Sequence, residues 1–537
     1  MKWKKGLVIG VVAAAAVAAG VGIAAVNRKD PKTVVIDAFK GVYASDNVYP
    51  AEEIFGFGQL MEQFEETGGE LGLEISLTGS SDETVFGPLA GSGINIEAKS
   101  DAAAGKFRED LGIRYGGMDL ANLQIYGDDT YLKAAVPELS SRVFSLNYAD
   151  GLADQLADSP LVQSSGITLT EEDKQLIDDY VDYMTDLYRS DSGAFDLEGL
   201  WNRYTEGSQA INDFKAAMTV TESDSLSFTY NGQESSCTGY DVVLPKDALI
   251  SFFRTTSEFF LSDETFKNDM SEYMELMERL NEAGLSNTQT GQDTSDPVSS
   301  AASLWEEMSR GADEAVDALE RALTGDVVLK VYVDRRGNLV SAEGNAGFLV
   351  EEDSTLNVAA SLRLEGGSYP TENLKASLTL ADGTDTVTID LNKSGEYTDA
   401  ALNSSWDLTI GSQAASEAFG LSFQGSYSRE EGDLSMVITP SSNGESFSIT
   451  IGGVIDELEK GRNIHYTADS VQIKLADGFS VELAGEAYMR MLSSEVDSPE
   501  GMEMDVIAAT EDDWTQVGNE IAMNLLSILS SLGAGLS

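Results

Sequence analysis

The stretch GELGLEISLTGS, residues 69–80, alternates apolar and polar side chains along its length. Leu71, Leu73, Ile75 and Leu77 stand at every second position. A period of two places these four side chains on one face of a β-strand and the acidic and small residues on the other. The stretch therefore predicts a strand with one apolar and one polar face, and the rest of the chain has to provide neighbours for it.

Short segments of the same kind follow this strand closely. Turn residues such as Gly116-Gly117 separate some of them. Close spacing between strands favours antiparallel pairing through hairpins. The predicted strands are Ile94–Ala98, Phe107–Tyr115, Met118–Tyr126, Thr130–Ala135 and Val143–Tyr148.

A second β-rich stretch runs from Val327 to about Ile507, with turn signals such as Asp382-Gly383 and Asn443-Gly444 between its strands. Such a meander is typical of a curved antiparallel sheet, a barrel or a half-barrel. Between the two β-rich stretches, the Asn231-Gly232 turn predicts one further hairpin, formed by Ser225–Tyr230 and Cys237–Leu244.

Amphipathic helices are predicted around the strands. Thr170 with Asp173 and Thr510 with Asp513 have the spacing of a helix-starting capping box. Pro245 opens another helix, because proline is tolerated at the start of a helix. Further helices are predicted for residues 31–43, for residues 51–66, after Asp263, and from about Ala302 to Leu323.

Residues 284–302 are mostly small and polar, with one proline and two glycines, and we interpret them as a linker between two domains. Residues 33–283 would form a domain of mixed helix and antiparallel sheet, and residues 303–533 a β-meander domain with flanking helices. The predicted fold class is α+β. It has two antiparallel β-rich domains, each a curved sheet or half-barrel packed with amphipathic helices, and one N-terminal transmembrane helix.

The N-terminal transmembrane helix is predicted from composition. Residues 1–5 are basic, and residues 6–26 form an uncharged run of 21 glycine, alanine, valine, leucine and isoleucine residues. As a helix this run would cover roughly the 30 Å hydrocarbon core of a bilayer. The alternatives are a single-pass anchor at the cell membrane and a cleaved signal segment. In both, the basic start stays in the cytoplasm and the bulk of the chain is extracytoplasmic. Lipid anchoring through cysteine is disfavoured, because the single cysteine is Cys237.

The charge of the chain limits its partners. The sequence has 91 acidic and 34 basic residues, a formal net charge of −57. Such a charge repels nucleic acid, which we exclude as a partner. The expected partners are the membrane, through residues 6–26, and a lipid or an envelope glycan. The oligomeric state is left open.

No catalytic, cofactor-binding or metal-binding residues are predicted. Catalysis of the Ser-His-Asp or Cys-His kind would have to use His465, the single histidine, which lies in a strand-like stretch and is interpreted as an ordinary strand residue. Cys237 is interpreted as a small buried residue of a hairpin strand. Acidic pairs are too numerous to indicate a site. Three short acidic runs are read as solvated turns or helix starts, with calcium contact as the alternative. These runs are Asp128-Asp129, Glu351-Glu352-Asp353 and Glu511-Asp512-Asp513.

Two segments carry a resemblance to known proteins. The segment YGDDTYLK (residues 126–133) followed by Pro137-Glu138-Leu139 resembles a strand–turn–strand unit of exported lipoprotein-carrier-like proteins, and VYVDRRGNLV (residues 331–340) is similar to another of their hairpins. The resemblance implies an antiparallel half-barrel closed by helices, with a lipid chain in the concave face. The chain as a whole is similar to uncharacterised membrane-anchored surface proteins of Gram-positive bacteria, which implies location and fold but no activity.

The function expected from the sequence is that of a membrane-anchored extracytoplasmic protein. It is expected to be non-enzymatic and to bind a lipid, a glycan or a protein at the cell envelope. The alternatives are a carboxylate-dependent cell-wall glycan hydrolase and a structural or adhesive surface protein.

Overall fold

A computed structural model of the chain describes residues 30–44, 47, 49–189, 196–282, 301–351, 354–413 and 418–535. Within these ranges the chain forms thirteen α-helices and twenty-one strands. The helices are α1 (Pro31–Val42), α2 (Pro50–Phe55), α3 (Phe57–Thr67), α4 (Glu83–Phe86), α5 (Leu152–Asp158), α6 (Pro160–Ser165), α7 (Glu171–Arg189), α8 (Leu197–Thr205), α9 (Gln209–Ala217), α10 (Lys246–Ser262), α11 (Glu264–Glu282), α12 (Ala301–Ala322) and α13 (Glu511–Gly535).

The strands are shorter than the longest helices and most are joined by tight hairpins. They are β1 (Gly69–Ser80), β2 (Gly93–Asp101), β3 (Lys106–Tyr115), β4 (Met118–Gly127), β5 (Tyr131–Ala135), β6 (Arg142–Asn147), β7 (Thr219–Tyr230), β8 (Gln233–Leu244), β9 (Val327–Asp334), β10 (Leu339–Glu351), β11 (Ser354–Gly366), β12 (Asn373–Ala381), β13 (Thr386–Tyr397), β14 (Ala401–Ser412), β15 (Ala418–Ser428), β16 (Asp433–Ser442), β17 (Glu445–Ser446), β18 (Ser448–Glu459), β19 (Asn463–Lys474), β20 (Ser480–Met491) and β21 (Met502–Asp505).

All the described strands belong to one sheet. Following the hydrogen-bonded neighbours from edge to edge gives the order β21-β6-β5-β4-β3-β2-β1-β20-β19-β18-β16-β15-β14-β13-β12-β11-β10-β9-β8-β7, with the two-residue β17 beside β16. Every pair is antiparallel except β21 with β6, which is parallel. The sheet does not close on itself.

The fold class predicted from the sequence, with two β-rich domains, is therefore wrong. Strands from the two sides of residues 284–302 pair with each other three times: β8 with β9, β1 with β20, and β6 with β21. The hydrogen-bonding groups at the edge of a strand are backbone groups, which are the same in every sequence, so side-chain patterns do not show which edges meet. The polar composition of residues 284–302 indicates a loop between elements of secondary structure. Such a loop can lie within one domain as well as between two.

The predicted membrane segment, residues 6–26, lies outside the described residues, as do residues 284–300 of the predicted linker. Among the helices that the structure describes, none is long and apolar enough to cross a membrane.

The strand register separates the sheet into an apolar and a polar face. Leu73 of β1 pairs with Ile96 of β2, Ile96 pairs with Leu111 of β3, and Leu111 pairs with Leu123 of β4. Directly paired residues point to the same side, so the apolar positions of successive strands line up. We call the side that carries Leu73 the apolar face and the opposite side the polar face.

Helices cover three regions of the apolar face. The largest core cluster joins α1, α9, α10 and α12 to strands β7–β11. A second cluster places α2 and α3 on one end of strands β14–β20, through Phe55 and Leu60. A third places α13 on β6 and β21, where Trp514 stacks on Phe144 with ring centroids 5.9 Å apart. Between these three regions, the helices of the three clusters leave part of the apolar face uncovered.

On the polar face, residues 492–501 connect β20 to β21 and pass across six strands. Seven inter-strand steps of roughly 4.8 Å give about 34 Å, close to the reach of a fully extended segment of this length. Lys99 Nζ donates a hydrogen bond to Ser494 Oγ at 2.9 Å, and Arg108 Nη1 donates one to the carbonyl oxygen of Asp497 at 3.2 Å. We call residues 492–501 the strap, because they tie β20 to the far edge of the sheet.

Because the sheet crosses the predicted domain boundary, cutting the chain there should not separate it. We expect a full-length protein cleaved at a protease site inserted between residues 288 and 296 to elute from a size-exclusion column as one species. The β8–β9 and β1–β20 pairings would hold the two fragments together until denaturant is added. Elution as two independently folded fragments would contradict the single sheet and restore the two-domain interpretation.

Candidate functional site

A row of large apolar side chains crosses the open part of the apolar face. The register joins them in direct pairs from β14 to β20, one residue from each strand. The members are Trp406, Phe423, Ile438, Ile449, Ile473 and Val481. We call these six residues the central row. Trp406 and Phe423 stack with ring centroids 5.4 Å apart and their planes 17° from parallel, so the aromatic end of the row is a flat apolar surface.

The central row is only half covered. All six side chains are intermediate in exposure, and none belongs to the core clusters that the described helices form with the sheet. Residues of the apolar face on β2 and β3 are more exposed, with Leu111 at 42% and Ile94 at 43%. A continuous apolar surface of this kind usually marks a binding site, because monomeric soluble proteins rarely leave large apolar patches in water.

Lys393 stands at the aromatic end of the central row. It lies on β13, where the register pairs it with Leu374 on one side and Trp406 on the other. By this register, Lys393 and Arg142 are the cations that the described strands place on the apolar face, and Arg142 lies at the far end, on β6 beside β21. Burial lowers the pKa of Lys393, and the negative charge of Glu372 opposes that shift.

At its β9–β11 end the apolar face continues beneath helices. Phe39 of α1 and Leu249 of α10 overhang Phe348, Val358 and Leu362, and together they line an apolar cavity of about 140 Å³. This volume is smaller than the 300–1,000 Å³ of typical ligand pockets. We therefore take the open row, rather than this cavity, as the candidate surface for a ligand.

A polar cavity of about 430 Å³ lies on the other face, over β10–β14. Its lining includes the carboxylates Glu343 and Asp390, together with Arg363 and Lys375. The two carboxylates are three strands apart, which corresponds to roughly 14 Å between their backbones. Glycoside hydrolases place their two carboxyl groups about 5 to 9.5 Å apart, and the backbones of this pair are farther apart than that.

His465 lies on β19, on the polar face, as the strand-like sequence around it predicts. Its Nδ1 is 2.5 Å from Asp456 Oδ1, and its Nε2 is 3.7 Å from Glu486 Oε2. The hydrogen bond from His465 lowers the pKa of Asp456. Both ring nitrogens face carboxylates, whereas a base that activates a nucleophile faces a serine or cysteine side chain.

Cys237 lies in β8, fully buried, and burial raises the pKa of its thiol. A buried thiol of raised pKa is a poor nucleophile and metal ligand. The sequence interpretation of Cys237 as a small buried strand residue is confirmed.

The acidic runs form local structure where they are described. Asp128 closes a turn by accepting hydrogen bonds from the backbone nitrogens of Thr130 and Tyr131. Asp513 caps α13 through Thr510. In the run Glu351-Glu352-Asp353, the last two residues lie outside the described residues. Among the residues that the structure describes, no cluster of three histidine, cysteine or acidic side chains is placed to hold a metal ion.

Comparison with known proteins adds no further assignment: no protein-family model, no curated protein and no solved structure matches the chain. The apolar face and Lys393 therefore have to be interpreted from their own geometry.

Proposed function

We propose that the protein is a membrane-attached extracytoplasmic protein that binds the acyl chain of a lipid on the open part of its apolar face. The observation that carries the proposal is the central row, in which six large apolar side chains lie in direct register on six strands. Lys393 continues the row onto a seventh strand, β13. Six inter-strand steps from Lys393 to Val481 span about 29 Å. One leaflet of a bilayer has a hydrocarbon depth of about 15 Å, so the row is long enough for an acyl chain.

Two features support a position beside a membrane. The first is the uncharged run of residues 6–26. The second is the end of α13, where the sequence has no charged residue from Ile521 to Gly535. In this part of the helix Met523 and Leu526 are each 66% exposed. Exposed apolar side chains of a helix are removed from water when they enter the headgroup boundary of a bilayer, which supports this position.

An acyl chain fits the central row better than a glycan or a protein partner. Sugar sites combine an aromatic platform with several polar groups that hold hydroxyls. The central row offers the platform, but its neighbours along and across the strands are mostly aliphatic. Protein interfaces usually surround an apolar centre with a polar rim, whereas this surface is apolar over many strands in succession.

A photoreactive amino acid introduced at Phe423 tests the proposal in cells that make the full chain. We expect ultraviolet light to join the Phe423 position to lipid, detected as lipid-modified peptide by mass spectrometry. Position 423 is the second residue of the row, between Trp406 and Ile438.

The matched control is the same photoreactive amino acid at Gln424. This residue follows Phe423 in β15 and points to the polar face, so no lipid adduct is expected there. Adducts to protein at Phe423, or equal lipid adducts at both positions, would overturn the proposal. The first result would instead assign the row to a protein partner.

A further inference from the structure

We propose that Lys393 binds the anionic headgroup, a carboxylate or a phosphate, of the amphiphile whose acyl chain lies on the central row. The inference rests on the proposed function and adds to it the chemical class of the ligand and the direction in which it lies. The headgroup would be at β13 and the chain would run toward β20.

The surroundings of Lys393 leave its charge available. Its Nζ donates one hydrogen bond, 3.2 Å long, to Tyr369 Oη, and lies 5.0 Å from the centre of the same ring. Among the described residues, no carboxylate oxygen lies within 4 Å of Nζ. An ammonium group has three donors, so the tyrosine hydroxyl leaves two of them unused by side chains.

The position of Lys393 is energetically unfavourable for a charged side chain that has no binding role. Its side chain is half-buried and lies between Leu374 and Trp406, where a charge loses hydration. Two other lysines of this sheet have carboxylate partners: Lys375 Nζ is 2.9 Å from Glu365 Oε1, and Lys330 Nζ is 2.6 Å from Asp224 Oδ1. Lys393 differs from both because its hydrogen-bond partner is the hydroxyl of Tyr369, while the carboxylate of Glu372 acts on it as a nearby charge without an ion-pair contact.

The location of Lys393 relative to the row sets the polarity of the ligand. Trp406, the first residue of the row, is its direct cross-strand neighbour. Beyond Trp406 the row contains five apolar side chains and no polar one. A molecule with an anionic end and a long hydrocarbon end would thus find a partner for each end. The Lys393 ammonium and the Tyr369 hydroxyl would bind the anion, and the apolar side chains of the row would contact the hydrocarbon chain.

A neutral occupant is the main alternative. In that case Lys393 would only cover apolar surface with its methylene groups, as lysines commonly do. The two alternatives differ in one measurable quantity, which is the preference of the protein for an acid over an alcohol of the same chain length.

The test measures displacement of a fluorescent long-chain fatty acid from the purified full chain, by a fatty acid and by the fatty alcohol of equal length. We expect the wild type to bind the acid about tenfold more tightly than the alcohol, which is the usual effect of one charge-assisted hydrogen bond. Lys393→Met should bind both with the affinity that the wild type has for the alcohol. Lys393→Arg should keep the preference, because it keeps the charge.

The matched control is Lys375→Met, which removes a lysine from the neighbouring strand β12 on the polar face and should leave the preference unchanged. A Lys393→Met variant that still prefers the acid tenfold would overturn the role of Lys393 and leave the proposed function intact. A wild type that binds neither the acid nor the alcohol would overturn the proposed function, and this inference with it. Inclusion of a short-chain carboxylate and of inorganic phosphate distinguishes the sources of the anion, because displacement by these ions alone would assign Lys393 to a free anion instead of a lipid headgroup.

Discussion

Replacing Glu70 by glutamine is expected to lower the free energy of unfolding by about 3 kcal/mol at neutral pH. Glu70 is fully buried on the polar face of β1 and accepts hydrogen bonds from Arg490 Nε at 2.7 Å and from Ser493 N and Oγ at 3.1 Å each. Lys99 Nζ lies 3.8 Å away. The carboxylate thereby joins β1 to both neighbouring strands and to the strap.

The size of the effect follows from the pKa of Glu70. Burial by itself would raise this pKa, but the hydrogen bonds from Ser493 and Arg490 and the charge of Lys99 outweigh burial and lower it from 4.5 to about 2. At about 1.36 kcal/mol for each pH unit, this difference corresponds to about 3 kcal/mol of stability. Glutamine would keep the shape of the side chain and lose the charge, leaving Arg490 and Lys99 without their common partner.

The same pKa shift predicts how the difference between the two proteins depends on pH. A carboxyl group whose pKa is lower in the folded state stabilises that state above its unfolded pKa, and this contribution is lost as pH falls toward the folded value. The urea midpoint of the wild type should therefore approach that of Glu70→Gln as pH falls from about 4.5 to about 2. Measured midpoints that differ equally at pH 7 and near pH 2 would contradict this assignment.

Glu74→Gln provides the matched control. Glu74 lies four residues further along β1, on the same face, and pairs with Arg114. Both partners are about one-third exposed, and ion pairs this exposed usually contribute less than about 1 kcal/mol. A loss for Glu74→Gln as large as that for Glu70→Gln would show that the general negative charge of the protein, and not the buried network, determines the result.

The second large effect is expected in lipid binding. Replacing Ile438 by aspartate should lower acyl-chain binding by at least about tenfold, because a bound chain would cover the new carboxylate and remove it from water. Ile438 lies in the middle of the central row, paired with Phe423 and Ile449. Its half-exposed side chain leaves room for the carboxylate to stay hydrated when no lipid is bound, so the protein should still fold.

Val437→Asp is the control for this substitution. Val437 precedes Ile438 in β16 and points to the polar face, where it pairs with Gln424 and Thr450. The two variants therefore add the same charge to the same strand on opposite faces. Binding of the displaced fluorescent fatty acid should fall in the first variant alone, and an equal loss in both would attribute the effect to a disturbed sheet.

Local structure could be predicted well from the sequence. The alternation at Leu71–Leu77 lies within β1, and the Asn231-Gly232 turn joins β7 to β8 with Asn231 at a φ of 52°, as such hairpins require. The capping boxes at Thr170 and Thr510 are confirmed, since each threonine nitrogen donates to the carboxylate three residues later. These signals were reliable because the partners are near each other in the chain.

Long-range pairing could not be predicted in the same way. The parallel pairing of β21 with β6, and the seam between β1 and β20, depend on which strand edges meet. Alternation showed that each strand has an apolar face, but not whether a second sheet, a helix or a ligand covers it.

Lys393 was missed although the sequence contains a signal for it. Val387, Ile389 and Leu391 occupy every second position of β13, and the next position in this series is Lys393. A lysine in the apolar phase of an alternating strand is unusual, because the charge then points to the side that the strand buries. The signal becomes visible once the strand boundaries and the register are known.

The seam between β1 and β20 also affects how the protein is made. Glu70 and Arg490, which meet across it, are 420 positions apart in the chain. Until β20 has been synthesised, the outer backbone groups of β1 have no partner, and an unpaired strand edge is a template for association with other chains. Most other strands pair with a neighbour in sequence and can form soon after synthesis, whereas this junction has to wait for β20 and forms slowly, as contacts of high sequence separation do. The nascent protein thus has an unpaired strand edge, that of β1, for most of its synthesis. The acidic residues Glu70 and Glu74 of β1 would limit aggregation through this edge during that interval.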